Sequence, residues 1–527
     1  MNGWLIRVLL LLLAAGAMGL RWPQLDRRPL HNDEGVNAWI LRDLVEKGHY
    51  RYNPEEFHGP TLHYLSLPFV RLAAPEARMS DANLRVAPVV FGALMILLLA
   101  WLADGLGRVA TVTAGLLLAI SPAFVFYSRY FIHEIFLIFF TFMALGAGWR
   151  YVQTGRWPWA AASGAAVGLM YATKETFVFQ VAAAAAGVAA VWWRQCREGG
   201  AMLAKRPWWN PRHWALAGAA AVAAATLFFT SFFTHPRGIL DAVLTYEHWI
   251  SRAGGASPLV KPWTYYFEHL FWFHPPKSHV WTEGGILALA LVGAVAVLAR
   301  RLPAAVNPVL GGFLLVYTLV LLVIYTVIPY KTPWCMLVFH QGLILLAGMG
   351  VACLWEWARP RWARGVLLLA LAGVAGHLLW QAWRAAVPVA YDRTNPYVHS
   401  QTIPNIFELV QKVKAVAAVH PDGTNVLIKV VSPVSVWPLP WYLREFQRVG
   451  WWEEMPADPY APIMLINASL HAELDEKSNK QYLMVGLFGL RPPARRNPPD
   501  TFLEMYVEYK LWERYVMSLP RQRGQDE

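Results

Sequence analysis

The chain has 527 residues, of which 56% are hydrophobic and only 15% charged, against about a quarter charged in ordinary soluble domains. That composition excludes intrinsic disorder and an ordinary soluble enzyme. Lys and Arg (46) outnumber Asp and Glu (34) for a formal charge of +12, and without a DNA- or RNA-binding motif this excess fits membrane orientation and no nucleic acid partner.

Apolar stretches long enough to cross roughly 30 Å of hydrocarbon recur along most of the chain. The expected spans are 4–20, 84–103, 109–127, 131–149, 158–173, 176–193, 214–233, 284–299, 307–329, 334–355 and 365–384. The first reads as an uncleaved anchor in preference to a cleaved signal peptide, since no clean Ala-x-Ala site precedes the acidic loop that follows it, although Arg7 and the small residues at 14–17 leave cleavage open. Arg108, Arg150, Arg156, Arg194, Arg197, Lys205, Arg206, Arg212, Arg300, Arg301, Arg359, Arg361 and Arg364 all fall on one side. That side is cytoplasmic by the positive-inside tendency, which puts loops 21–83 and 234–283 and the C-terminal tail outside. Cys196, Cys335 and Cys353 lie in or beside apolar runs, so neither a disulfide framework nor a Cys-x-x-Cys zinc site is supported. The Ala182–Ala190 run reads as helix-packing surface.

From about residue 390 the pattern changes. Strands are expected over 425–431, 462–466 and 482–488, a short helix over 440–446, and a strand or helix over 503–515, with a stiff Pro-rich loop at 491–499. The expected fold class is a polytopic α-helical membrane protein of about eleven transmembrane helices with a small C-terminal α/β extracytoplasmic domain. Residues 1–389 would form the membrane part with its external loop 21–83, and residues 390–527 the α/β domain.

Candidate chemistry clusters on the outer side. His31-Asn-Asp-Glu-Gly35 follows the first span directly; the adjacent Asp33 and Glu34 repel each other unless cations, a metal or a proton-accepting role retains them. Capping by Asn32 or Asp33 of a helix over 36–46 is the structural alternative. His58 precedes a Gly-Pro turn, and either contributes to a site or is a solvated loop residue. Ser128-Arg129-Tyr130 and His133-Glu134 enter an otherwise apolar helix, where an ionisable group marks a functional site unless Arg129 and Glu134 merely pair. Lys174 in Thr173-Lys-Glu175 and Lys331 in Ile328-Pro-Tyr-Lys-Thr-Pro-Trp334 each place a cation in a short external hairpin, suited to a phosphate or to snorkelling toward headgroups.

These motifs resemble those of the GT-C clan of membrane glycosyltransferases, which includes the protein O-mannosyltransferases and the lipid A aminoarabinose transferases. The resemblance rests on Asp33-Glu34, on Ser128-Arg129-Tyr130 with Glu134, and on Lys331-Thr332-Pro333-Trp334. With Phe57-His-Gly-Pro60 and Trp437-Pro-Leu-Pro-Trp-Tyr-Leu-Arg444 it extends over nearly the whole chain and is similar to the flippase-activity-associated family of archaeal and bacterial glycosylation clusters. In two places the chain departs from the clan: Glu134 stands for the usual Asp, and His58 stands where aminoarabinose transferases have a carboxylate. The second departure puts metal binding in doubt, although Glu55 and Glu56 are close by in sequence and a divalent metal stays open.

The resemblance implies an inverting transferase that moves a sugar from a polyisoprenyl-phosphate carrier to a glycan, lipid or protein acceptor, at the outer face of the cell membrane. It also implies Asp33, Glu34 and Glu134 as catalytic residues, and His58, Arg129, His133, Lys174, Tyr330 and Lys331 as substrate-binding residues. The rival class is a lipid-linked oligosaccharide transporter or flippase accessory protein without transferase activity. Transporters commonly carry paired half-repeats and ionisable groups near the bilayer midplane, whereas the candidate charges here lie at one face.

Overall fold

The computed structural model describes residues 3–54, 58–197, 210–254, 260–276, 278–491 and 501–520. Glu55, Glu56, Lys205, Arg206 and the Pro-rich loop after Arg491 lie outside the described residues. The chain divides into two compact units, Met1–Leu25 with Ile40–His399, and Asp26–Trp39 with Ser400–Glu527. The stretch carrying Asp33 and Glu34 thus belongs to the same compact unit as the C-terminal tail.

The first unit is helical, and the chain is a polytopic membrane protein. Among the described residues eight helices are long and apolar enough to cross a membrane: Gly3–Arg21, Asp81–Trp101, Glu134–Thr154, Phe177–Arg197, Pro211–Phe229, Pro308–Val327, Pro333–Trp357 and Arg361–Ala386. The remaining expected spans are met by the shorter helices Arg108–Ile120, Trp157–Tyr171 and Gly284–Leu298. The Pro333–Trp357 segment is 89% buried and packs against Arg108–Ile120, Gly284–Leu298 and Pro308–Val327, so it is apolar all round. In Gly3–Arg21, by contrast, burial follows a single stripe of Ile6, Leu10, Ala14, Ala17 and Arg21, the spacing of one helix face. Within the polyalanine run only Ala183 and Gly187 are buried, beside Gln180 on the same helix. The packing surface is therefore a narrow stripe, and the other alanines face outward.

Two arginines close helix ends in series. Arg21 donates to the carbonyls of Leu118 and Ala119 at 2.9 and 2.8 Å, the C-terminus of Arg108–Ile120. Arg129 in turn donates to the carbonyls of Arg21, Pro23 and Gln24 at 2.7–3.1 Å. Each places a cation where helix carbonyls lack intrahelical partners and the dipole is negative.

The second unit is built on a mixed sheet of five strands: β1 (Ile428–Val431), β2 (Val449–Trp452), β3 (Ile463–Asn467), β4 (Tyr482–Arg491) and β5 (Thr501–Glu508), in the order β2-β1-β3-β5-β4. β2, β1 and β3 run parallel, while β5 is antiparallel to both β3 and β4. β1 and β3 are buried throughout, which accounts for their lack of alternation, with only Lys429 and Asn467 polar. The helix Asn405–Ala418 covers one face through Ile406, Leu409, Val413 and Val416. The expected strand or helix at 503–515 is both, since β5 passes directly into the helix Tyr509–Ser518. The sequence reading missed β2 and Asn405–Ala418; β2 is a four-residue strand at the sheet edge with no fully buried position, too short to show an alternation.

Candidate active site

In the first unit two loops clasp each other beside Glu134. The Gly59 and Thr61 amides donate to the carbonyls of Thr173 and Ala172 at 3.1 and 3.2 Å, and the Thr61 hydroxyl donates to the Thr173 hydroxyl at 2.8 Å. A Cβ on Gly59 would overlap the Ala172 carbonyl, so the Gly of the His-Gly-Pro turn is required by close approach of two backbones. The clasp sets three side chains. His58 Nδ1 meets Glu175 Oε2 at 2.9 Å, His133 Nε2 donates to the Gly59 carbonyl at 3.0 Å, and Lys174 pairs with Glu134.

His58 is therefore not a solvated loop residue, and the partner of Glu134 is Lys174. Burial alone would lower the Lys174 ammonium, but Glu134 beside it more than reverses this and holds it above its ordinary value. Burial foremost, with His58, His63 and Lys174 adding, pushes His133 well below the usual imidazole range, which keeps its ring neutral. His63 is fully buried, has no hydrogen-bond partner on either ring nitrogen among the described residues, and is pushed by burial to about 3.

The two hairpin lysines are not surface groups, contrary to expectation. Lys174 is 7% exposed and Lys331 only 1%, because each sits where helices converge. The Lys331 ammonium donates to the Ile328 carbonyl in its own turn and lies 6.0 Å from the Tyr266 ring; burial lowers it. Tyr330 is half-buried and bridges to Val260 through the backbone. Arg129 is buried with its guanidinium on backbone carbonyls.

In the second unit the acidic pair splits into two unlike groups at the start of the helix Asn32–Lys47. His31, and neither Asn32 nor Asp33, caps it: the Asp33 amide donates to His31 Nδ1 at 3.1 Å, and the Glu34 carboxylate accepts from the His31 amide at 2.8 Å. This reciprocal pattern is a capping box with histidine as the cap. Glu34 is fully buried and held by both Arg28 Nη atoms at 2.8 and 3.1 Å. The Asp33 side chain is 45% exposed, with Asn32 Nδ2 at 3.3 Å and His31 Nδ1 at 3.9 Å. Burial lowers the Arg491 guanidinium, and the nearby Asp33 carboxylate opposes that shift.

Residues 58–228 match the family model of the dolichyl-phosphate-mannose-protein mannosyltransferases. Along nearly the whole chain the fold matches that of ArnT from Cupriavidus metallidurans. The undecaprenyl phosphate-bound form aligns at 16% identity with a TM-score of 0.61, covering 96% of this chain and 98% of that one. The apo form gives 15% and 0.63 over 97% and 99%. This is the GT-C fold. The apo oligosaccharyltransferase of Archaeoglobus fulgidus is similar at 14% identity and a TM-score of 0.54, covering 90% of this chain and 69% of that one. No curated protein matches the chain.

Around this GT-C scaffold three groups escaped the sequence reading. Glu175, the partner of His58, was visible only as the neighbour of Lys174, and its Oε1 has no hydrogen-bond partner among the described residues. Arg28 holds Glu34 and Gln401 holds Arg28, and no local spacing relates Gln401 to either. Glu283 is fully buried and accepts from Ser121, His340, Tyr397 and the Ala123 amide at 2.6–3.0 Å; it was hidden at the edge of an apolar run. No group of three or more His, Cys, Asp or Glu among the described residues is placed to hold a metal ion, so no step is assigned through one.

Proposed function

We propose that this chain is an inverting glycosyltransferase that moves a sugar from a polyisoprenyl-phosphate carrier to an acceptor hydroxyl at the outer membrane face. The observation that carries this reading is the division of labour in the acidic pair: Glu34 is consumed by Arg28 and the helix cap, while Asp33 presents a half-exposed carboxylate. Such a half-exposed carboxylate, held at a capped helix start, is placed to accept a proton from a bound hydroxyl. Further support comes from the fold shared with an ArnT bound to undecaprenyl phosphate. The transport reading has no comparable support.

In the reaction the acceptor oxygen attacks the anomeric carbon as the bond to the carrier phosphate breaks, and the phosphate leaves with the electron pair. Asp33 takes the acceptor proton as attack proceeds. Lys331 is the cation proposed for the departing phosphate. Lys174 pairs with Glu134 and orients it, and does not itself supply a free charge. The test is transfer from a panel of polyprenyl-phosphate-linked hexoses and pentoses by the purified protein in lipid nanodiscs. Asp33→Asn abolishes transfer at an unchanged melting temperature; near-normal transfer by Asp33→Asn overturns the reading.

A further inference from the structure

The seat of Asp33 is made by residues far along the chain. Gln401, 372 residues after Pro29, donates to the Pro29 carbonyl at 3.0 Å and accepts from Arg28 Nη1 at 2.9 Å, the same nitrogen that grips Glu34. The Tyr442 hydroxyl accepts from the Leu30 amide at 2.9 Å. The Pro29–Leu30 peptide unit is thus held from the tail on both its oxygen and its nitrogen, immediately before the helix start that carries Asp33.

A second set of tail contacts holds the helix start itself. Arg491, at the end of β4, donates to the carbonyls of Ser435 and Trp437 at 2.9 and 3.0 Å, and the Ser435 hydroxyl donates to Asn32 Oδ1 at 3.1 Å. Trp437 packs edge-on against Trp39 at 6.1 Å. A Cβ on Gly35 would lie 2.6 Å from Pro438 Cβ, so the helix rests directly on the Trp437-Pro438 turn and only glycine allows it. The tail thereby fixes the helix start in position and in rotation about its axis, and rotation sets where the Asp33 carboxylate points.

We propose that Gln401, Tyr442 and Arg491 are positioning residues for Asp33, so that the C-terminal domain is part of the transfer machinery and not an appended glycan-binding module. This rests on the reading of Asp33 as base. A positioned base demands orientation to a fraction of an ångström, and small misplacements cost about a hundred-fold in rate. Binding of the donor makes no such demand on the base.

The experiment compares Tyr442→Phe, Gln401→Leu, Arg491→Gln and Arg491→Lys with the parent in nanodiscs, using whichever polyprenyl-phosphate-linked sugar of the panel the parent turns over. Tyr442→Phe and Gln401→Leu lower kcat by about ten- to a hundred-fold with donor KM within two-fold, roughly experimental scatter. Arg491→Gln does the same, and Arg491→Lys recovers part of the loss because the charge and one donor return. Melting temperatures of Tyr442→Phe and Arg491→Lys fall by no more than a few degrees, the loss of one hydrogen bond each. Parent-like kcat in both Tyr442→Phe and Gln401→Leu overturns the proposal, as does a loss that tracks melting temperature alone. Asp33→Asn is the control: if it keeps transfer, or if no donor on the panel is turned over, the transferase reading fails first and independently of the positioning role.

Discussion

At Asp33 and Glu34 two carboxylates one residue apart meet opposite surroundings, and their substitutions should separate cleanly. Glu34→Gln leaves the Arg28 guanidinium buried beside a neutral amide, a change that typically costs about 3–5 kcal/mol. Asp33→Asn touches a half-exposed side chain and should alter stability by no more than about 0.5 kcal/mol. Thermal unfolding of the two variants beside the transfer assay checks this: stability falls in the first and activity in the second. Lys331 calls for a similar separation, because it is buried and its removal also opens a cavity. We expect Lys331→Ala to raise donor KM by about 10- to 150-fold, the equivalent of about 1.5–3 kcal/mol for a lost charge-assisted contact, together with a lower melting temperature. Lys331→Met fills most of the space, so it should restore melting temperature and leave the donor defect; if it restores both, the lysine is a packing group. The sequence showed these residue types and their place in short loops between apolar spans. It could not show that Glu34 and Lys331 are buried, because burial depends on what packs around a turn and not on the turn itself.

The clasp between the His58-Gly-Pro-Thr61 and Ala172–Glu175 loops is a unit of a different size. It joins segments some 112 residues apart, and neither has a regular period, so each looked from the sequence like an isolated external turn. Their residue chemistry was legible, their partnership was not. Gly59→Ala forces a Cβ onto the Ala172 carbonyl and should destabilise the protein by about 1–3 kcal/mol. It should also release His58 from Glu175 and His133 from the Gly59 carbonyl. Thr61→Val keeps the shape and loses only the hydroxyl bond to Thr173, a cost of about 0.5–1.5 kcal/mol. A melting-temperature ranking of parent, Thr61→Val and Gly59→Ala in descending order checks the clasp; equal values would mean that the two loops do not depend on each other.

At the scale of the whole molecule the buried histidines set an acid limit. His63 is held to about 3 by burial, against about 6.5 when unfolded. Its neutral form therefore contributes stability that is fully present above pH 6.5 and is lost as pH falls toward 3, by up to about 1.4 kcal/mol per pH unit. His133 and His31 are lowered in the same direction, by burial first. Melting temperature should fall between pH 6.5 and 4, and His63→Phe should flatten that fall. A slope unchanged in His63→Phe would assign the acid limit to the other two rings. Orientation is tested separately: tags after Arg156 and Arg361 are expected in the cytoplasm and one after Glu527 outside, as reporter fusions would show.

Composition and apolar run length determined that this chain lives in a membrane, where its helices fall and that a small α/β tail follows them, because crossing hydrocarbon imposes a length and a hydropathy that each segment must satisfy by itself. The motifs, read as a set, pointed to the GT-C fold and to its carboxylates and lysines. Only the tertiary structure decided that Lys174 belongs to Glu134, that Gln401 anchors the Arg28 which holds Glu34, and that the segment carrying Asp33 packs with a tail hundreds of residues away. Those pairings are long-range, and a charge finds its partner through the packing of whole elements, which no local spacing encodes.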